Sequence, residues 1–231
     1  MAEAEFDAVA NDYVDQHARS IQISGESPDF FADYKIADLR RMADRLGWSP
    51  RRILDFGAGI GNSLAPLRRY FPDAAITCLD VSDQSLDICR SKASGDTRFL
   101  CYDGERLPDD LGQFDLIFTA CVFHHIPETQ HVDLLRQIRQ ALAPDGMFVL
   151  FEHNPWNPLT QRAVRACPFD RNAVLISAPE MRARFRAAGF DQIDRRYRIF
   201  FPRALAALRP LEPLLTGVPL GAQYSLAGRA A

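Results

Sequence analysis

Short apolar runs alternate with longer amphipathic segments through the middle of the chain. Each run ends at a glycine or a polar residue, and the segment after it carries apolar residues every three or four positions. The apolar runs predict five strands, at residues 53–56, 75–79, 98–102, 114–120 and 147–152. Strands that alternate with helices form right-handed βαβ units, so the pattern predicts a doubly wound, mostly parallel α/β sheet.

The two ends of the chain depart from this alternation. Residues 1–50 carry apolar side chains at helical spacing, around Tyr13 and again around Tyr34, and predict a helical cap. The β-rich segments near residues 193–201 and 222–227 lack the βαβ rhythm and predict an antiparallel edge. We therefore expect a single domain over residues 1–231, made of a cap (1–50), a ligand-binding core (51–152) and a substrate-side segment (153–231).

Charge and cysteine content narrow the class of protein. The 27 Lys and Arg residues against 30 Asp and Glu residues give a formal net charge of -3, without a block of like charges. We therefore expect no nucleic-acid partner.

The five cysteines are widely spaced and form no C-x-x-C pair, which is typical of reduced thiols in the cytoplasm. A cytoplasmic location also fits the start of the sequence, which lacks the features of a secretory signal.

Residues 200–221 form the most apolar stretch of the sequence. Three charged residues and four prolines interrupt the stretch, so we expect no membrane span. It is either a connector between the last two strands or a lid over a substrate pocket, with contact to a lipid surface as a further alternative. The sequence leaves these alternatives open.

A glycine-rich turn follows the first predicted strand and has the sequence GAGIGN, residues 57–62. Gly57 and Gly59 permit positive φ angles and a close approach of backbone amides to a ligand. A helix beginning near Asn62 would add the positive end of its dipole. Because ligands of open parallel sheets bind at the carboxyl ends of the strands, this turn predicts a site for an anionic or zwitterionic ligand.

Two carboxylates stand at the ends of the next strands. Asp80 follows the second strand, where an acid accepts hydrogen bonds from ribose hydroxyls. Asp103, followed by Gly104, closes the third strand and could accept the exocyclic amine of an adenine. Either residue alone could simply cap a strand end, but together with the glycine turn they indicate a nucleoside site.

The spacing of the turn discriminates between nucleosides. A dinucleotide-binding fingerprint needs a third glycine where this chain has Asn62. No Tyr-x-x-x-Lys pair follows the fourth strand either. These departures disfavour a nicotinamide-dependent oxidoreductase, which remains an alternative beside a catalytically inactive nucleoside-binding module.

Residues 51–152 resemble the class I S-adenosylmethionine-dependent methyltransferases through the motifs ILDFGAGIGN, CLDVS and FDLIFTACVFHHIP. The resemblance implies a Rossmann-like, seven-stranded sheet with an antiparallel C-terminal strand. It also implies methyl transfer from S-adenosylmethionine to an oxygen or nitrogen atom, less often carbon, of a small-molecule acceptor. Cofactor-binding residues implied by the resemblance are Tyr13, Gly57, Ala58, Gly59, Asn62, Asp80, Val81, Ser82, Asp103, Gly104, Ala120 and Cys121.

Candidate general bases follow the fourth and fifth strands, on the ligand edge of the sheet. They are His125, Glu152 and His153, with His124 beside them. Histidine titrates near neutral pH and can accept a proton from an acceptor group. A non-catalytic role is a strong alternative for both His125 and His153, because histidine pairs after the fourth strand are frequent in the family that the sequence resembles. Glu152 could instead hold substrate or a backbone amide. No ligand spacing supports a metal site from His124, His125 and His153, so we expect no metal.

Overall fold

A computed structural model describes residues 24–170 and 172–230, and its centre is a sheet of seven strands. The strands are β1 (Arg52–Phe56), β2 (Ala75–Asp80), β3 (Thr97–Cys101), β4 (Phe114–Ala120), β5 (Leu142–His153), β6 (Phe190–Arg198) and β7 (Gln223–Ala230). Their order across the sheet is β3-β2-β1-β4-β5-β7-β6. Strands β1 to β5 pair in parallel, whereas β7 is antiparallel to both β5 and β6. The predicted mostly parallel sheet with an antiparallel C-terminal strand is confirmed.

Helices cover both faces of the sheet. The α-helices are α1 (Pro28–Arg45), α2 (Leu64–Tyr70), α3 (Asp83–Ser91), α4 (His131–Gln140), α5 (Pro158–Ala166), α6 (Ala178–Ala187) and α7 (Glu212–Leu215). Short 3-10 segments lie at Phe123–His125, Glu128–Gln130, Pro168–Asp170 and Arg203–Leu211. The central strands are apolar along nearly their whole length because helices bury both of their faces.

The order of the strands places the switch point of the sheet between β1 and β4. Strand β1 pairs with β2 on one side and with β4 on the other. After β1 the chain therefore builds β2 and β3 on one side of the sheet and then crosses to β4 on the other side of β1. The carboxyl ends of β1, β2, β4 and β5 therefore meet at one edge. This edge is the predicted ligand-binding position of a doubly wound sheet.

Helix α1 packs its apolar side against one face of the sheet. It begins at a Ser27 cap, whose hydroxyl accepts a hydrogen bond from the Phe30 amide. Ile36 and Leu39 are completely or almost completely buried in the core beneath it. The helix confirms the second helical segment of the expected cap, whereas the first, around Tyr13, lies outside the described residues.

Residues 200–221 connect β6 to β7 and pack on α1. The Glu212 carboxylate accepts hydrogen bonds from the amides of Phe200 and Phe201 at 2.9 and 3.2 Å, and from the Tyr34 hydroxyl at 3.1 Å. The Arg209 guanidinium lies 4.5 Å from the centroid of the Phe30 ring. Among the described residues, no helix has the length and apolar character needed to cross a membrane.

A buried ion pair fastens α1 to the end of β6. Asp38 Oδ2 lies 2.6 Å from Arg198 Nη2, and both side chains are less than a tenth exposed. We expect Asp38→Asn to lower the free energy of unfolding by about 3–5 kcal/mol, because Arg198 would keep a buried charge without its partner. Urea denaturation measures the change.

The matched control is Asp44→Asn, which removes the carboxylate of the exposed Arg40–Asp44 pair on the same helix. An exposed pair at this helical spacing contributes only about 0.5 kcal/mol or less. Equal effects of the two substitutions would contradict a structural role for the buried pair.

Candidate functional site

A cavity of about 310 Å³ opens at the carboxyl edge of the sheet. Its wall combines the loops after β1, β2, β3, β4 and β5 with residues of α1 and the segment after β6. Most of the predicted site residues line it, namely Gly57, Ala58, Gly59, Asn62, Asp80, Val81, Gly104, Ala120, Cys121, His125 and His153. The structure thus brings together residues from five strand ends.

Asp55 of β1 supplies a buried carboxyl group to this cavity. The residue is 2% exposed, and its Oδ2 atom has no hydrogen-bond partner among the described residues. Burial, with a smaller contribution from the charge of Asp80, raises the pKa of Asp55 to about 8. Asp55 is not among the site residues predicted from the sequence. An acidic residue inside an apolar strand is nevertheless rare enough to indicate a functional position.

Asp80 holds the glycine turn in place. Its Oδ2 accepts a hydrogen bond from the Gly59 amide at 2.7 Å, and its Oδ1 accepts one from the Ser82 amide at 3.0 Å. Helix α2 begins at Leu64 rather than near Asn62 and has only seven residues. The N-terminus of this helix therefore follows the turn two residues later than the sequence predicts. The two carboxylates make this end of the cavity attractive to positively charged groups and hydroxyls.

The glycines of the turn are required by its conformation. Gly57 has a φ of +76°, and a Cβ there would lie 2.3 Å from a methyl carbon of Val122. Gly59 has a φ of +52°, but a Cβ there would meet no atom within 4 Å. The open space beside Gly59 lets a ligand approach the backbone closely, as the sequence predicted for this turn.

Three of the predicted residues that the structure describes lie outside the cavity lining. Asp103 is exposed, and its Oδ1 accepts hydrogen bonds from the amides of Glu105 and Arg106, each at 2.8 Å. These bonds lower the pKa of the Asp103 carboxyl.

The other two predicted residues outside the lining are Ser82 and Glu152. Ser82 is buried and caps α3, while Glu152 lies behind the cavity wall. Tyr102, which sequence analysis missed, lines the wall at the end of β3, and burial raises the pKa of its hydroxyl.

A buried pair formed by His124 and Glu152 lies at the opposite end of the cavity. His124 Nδ1 is 2.7 Å from Glu152 Oε2, and Glu152 Oε1 accepts a hydrogen bond from the Phe123 amide at 2.8 Å. Burial alone would lower the pKa of His124, but the charge of Glu152 and hydrogen bonds to Asp170 and Glu152 raise it well above its usual range. Burial on its own would raise the pKa of Glu152. The charge and the hydrogen bond of His124 outweigh the effect of burial and hold the pKa of Glu152 at about 2.

Asp170, from the 3-10 segment after α5, joins this pair. Its Oδ1 lies 3.5 Å from His124 Nε2 and 3.4 Å from His125 Nε2. Sequence analysis missed Asp170 because no spacing relates it to the histidines, which lie far back in the chain. The ring of His153 lies 5.2 Å from that of His124. Burial, followed by the charge of His124, lowers the pKa of His153 to about 4, so this histidine is neutral at neutral pH.

Comparison with known proteins assigns the core of this fold to a family. Residues 53–146 match the family model described as a methyltransferase domain. The core of the chain is therefore similar to a methyltransferase domain. The resemblance to class I S-adenosylmethionine-dependent methyltransferases is thereby confirmed.

Individual relatives extend this comparison. A malonyl-[acyl-carrier protein] O-methyltransferase of Geobacter sulfurreducens is 30% identical over 158 residues, which are 64% of this chain and 58% of the relative. The chain therefore spans little more than half of that relative's length.

Among solved structures, a possible histamine N-methyltransferase of Thermotoga maritima has a TM-score of 0.68 and 16% identity, with 98% of this chain and 100% of that chain covered.

A second solved structure has a similar fold. The plantazolicin methyltransferase BpumL, in complex with a monoazolic desmethylPZN analog and S-adenosylhomocysteine, has a TM-score of 0.65 and 15% identity. The alignment covers 98% of this chain and 99% of that one. The prediction of S-adenosylmethionine as cofactor is confirmed at the level of the family.

The buried carboxyl of Asp55 predicts a pH-dependent affinity for S-adenosylhomocysteine, which carries an ammonium group. Because that group favours ionised Asp55, we expect the affinity to rise between about pH 6 and pH 8, by at most roughly tenfold per pH unit. The same burial makes ionised Asp55 unfavourable in the free protein. Its contribution to the free energy of unfolding therefore falls as the pH rises towards its pKa of about 8.

Isothermal titration at several pH values measures this dependence, and Asp55→Asn should abolish it. Asp133→Asn on the exposed side of α4 makes the same chemical change and should leave the pH dependence intact. A pH profile that is identical in wild type and Asp55→Asn would assign the dependence to other groups.

Proposed function

We propose that the chain is an S-adenosylmethionine-dependent methyltransferase that acts on an oxygen or nitrogen nucleophile of a small molecule. Carbon is a less favoured acceptor atom. The observation that carries the proposal is the buried Asp55 carboxyl, whose Oδ2 atom has no hydrogen-bond partner among the described residues and faces the cavity. A cationic ligand group at this position would satisfy the buried atom and compensate its charge.

The residues of the cavity fit the parts of the cofactor. Asp55 would accept a hydrogen bond from the amino group of its methionine part, near the backbone of Ala120 and Cys121. Asp80 would accept the ribose hydroxyls, and Val81 and Gly104 would contact the adenine. Tyr102 adds an aromatic wall beside them. When bound, the cofactor supplies a methyl group already activated by a positively charged sulfur.

The chain's own task is then to place the acceptor and to remove a proton from it. Orientation of the two reactants supplies roughly 7–11 kcal/mol in well-aligned systems. His125 and His153 line the cavity and are the candidate bases, and neutral His153 can accept a proton. Glu152 does not line the cavity, so we assign it a positioning role through its contact with His124.

The name of the Geobacter relative supports an oxygen acceptor, because that protein is an O-methyltransferase. A nicotinamide-dependent oxidoreductase is the competing enzyme class, and Asn62 at the third fingerprint position disfavours it. An inactive nucleoside-binding module is the third possibility. Binding of S-adenosylhomocysteine without turnover of any acceptor would favour that third possibility.

Asp80→Ala tests the nucleoside end of the proposed site. We expect it to weaken the binding of S-adenosylhomocysteine by about 1–3 kcal/mol, because the ribose hydroxyls lose a charged acceptor. Isothermal titration measures the affinity, with NAD⁺ as the competing ligand. Tight binding of NAD⁺ by the wild type, with no heat from S-adenosylhomocysteine, would overturn the proposed function.

His153→Gln tests proton removal. With an oxygen or nitrogen acceptor found by screening, we expect kcat to fall by about 10²-fold or more while the affinity for S-adenosylhomocysteine stays unchanged. Because the pKa of His153 is about 4, the wild-type base is available throughout the neutral range and is lost only in acid. An unchanged kcat would remove His153 from the list of bases.

A further inference from the structure

Three side chains at the histidine end of the cavity bring potential metal-binding atoms close together. Asp170 Oδ1 lies 3.5 Å from His124 Nε2 and 3.4 Å from His125 Nε2. All three donor atoms lie within 4.8 Å of one another. They come from the segment after β4 and from the 3-10 segment after α5, and all three residues line the cavity.

A hydrogen bond to Glu152 fixes the orientation of the His124 ring. Its Nδ1 donates a hydrogen bond to Glu152 Oε2 at 2.7 Å, and Glu152 is itself held by the Phe123 amide. A bound ion would displace the proton from Nε2 of His124, which lies 3.5 Å from Asp170 Oδ1. A carboxylate behind a histidine is the usual arrangement for metal-binding histidines, because it fixes the tautomer and raises the basicity of the ligand.

The distances fit a shared cation. Hydrogen bonds from N–H to oxygen centre on about 2.9 Å. In a tetrahedral zinc site, metal–ligand distances of about 2.0–2.1 Å place neighbouring ligand atoms about 3.3 Å apart. The separations of 3.4 and 3.5 Å are closer to the second value.

We propose that His124, His125 and Asp170 bind a divalent transition-metal ion of the Zn²⁺ type, with a further coordination position open to the cavity. Two imidazoles and one carboxylate are ligands that suit such ions. The sequence predicted no metal because the spacing of the histidines gave no support and Asp170 could not be connected with them. The structure supplies this third ligand.

An ion at this point would bind an oxygen of a molecule in the cavity. This consequence rests on the proposed function, and it favours acceptors that carry a carboxylate or a hydroxyl group. Binding of the metal itself does not depend on the proposed function. It can therefore be measured on the free protein without any acceptor.

The experiment uses the full chain after treatment with a chelator. Calorimetric titration with Zn²⁺ should show one bound ion per chain, and Co²⁺ should give the visible absorption of a site with nitrogen and oxygen ligands. We expect Asp170→Asn and His125→Gln each to reduce the Zn²⁺ affinity at least tenfold. Glu152→Gln should reduce it by about 10- to 100-fold, because the support behind His124 is weakened.

Asp133→Asn is the matched control, since it makes the same change as Asp170→Asn on the exposed face of α4 and should bind Zn²⁺ as the wild type does. Thermal denaturation with chelator present shows whether each variant is folded. Absence of Zn²⁺ and Co²⁺ binding by the wild type, or equal Zn²⁺ affinity in folded Asp170→Asn, would overturn the metal site.

Titration with S-adenosylhomocysteine separates this proposal from the proposed function. Binding of the nucleoside without binding of Zn²⁺ overturns only the metal site. Binding of Zn²⁺ at these residues without binding of the nucleoside supports the metal site and overturns the proposed function.

Discussion

Parallel pairing of β1 with β2 and β4 is the constraint on which the site depends. It places the carboxyl ends of these strands, and of β5 beyond them, at one edge of the sheet. Polar residues that follow buried strands therefore converge, although they are far apart in sequence. Asp55, His124 and Glu152 are buried at this edge, so their charges act strongly on neighbouring groups.

The cavity consequently has two electrostatic ends. At the β1 and β2 end, burial and, to a smaller extent, the charge of Asp80 raise the pKa of Asp55. At the β4 and β5 end, Glu152 and Asp170 surround His124 and stabilise its positive form. The first end suits a nucleoside with a cationic amino acid part, and the second suits proton transfer or a metal ion.

Much of the fold followed from local patterns, because apolar runs and glycine turns report directly on buried parallel strands. The glycine turn and Asp80 were predictable for the same reason, since their chemistry depends on neighbours in sequence. Asp170 was not predictable, because only packing after α5 brings it to the histidines. Asp103 illustrates the converse, since its position at a strand end is as predicted but its carboxylate holds nearby backbone amides. The positive φ of Cys121 beside the cavity had no sequence signal either.

The position of β7 between β5 and β6 constrains the order in which the strands can pair during synthesis. Strand β7 pairs His153 with Gln223 and Glu152 with Tyr224, and Gln223 also lines the cavity. Since β6 reaches the sheet only through β7, it cannot dock before β7 has been synthesised. During synthesis, strands β1 to β5 can therefore pair before β6 has a neighbouring strand in the sheet.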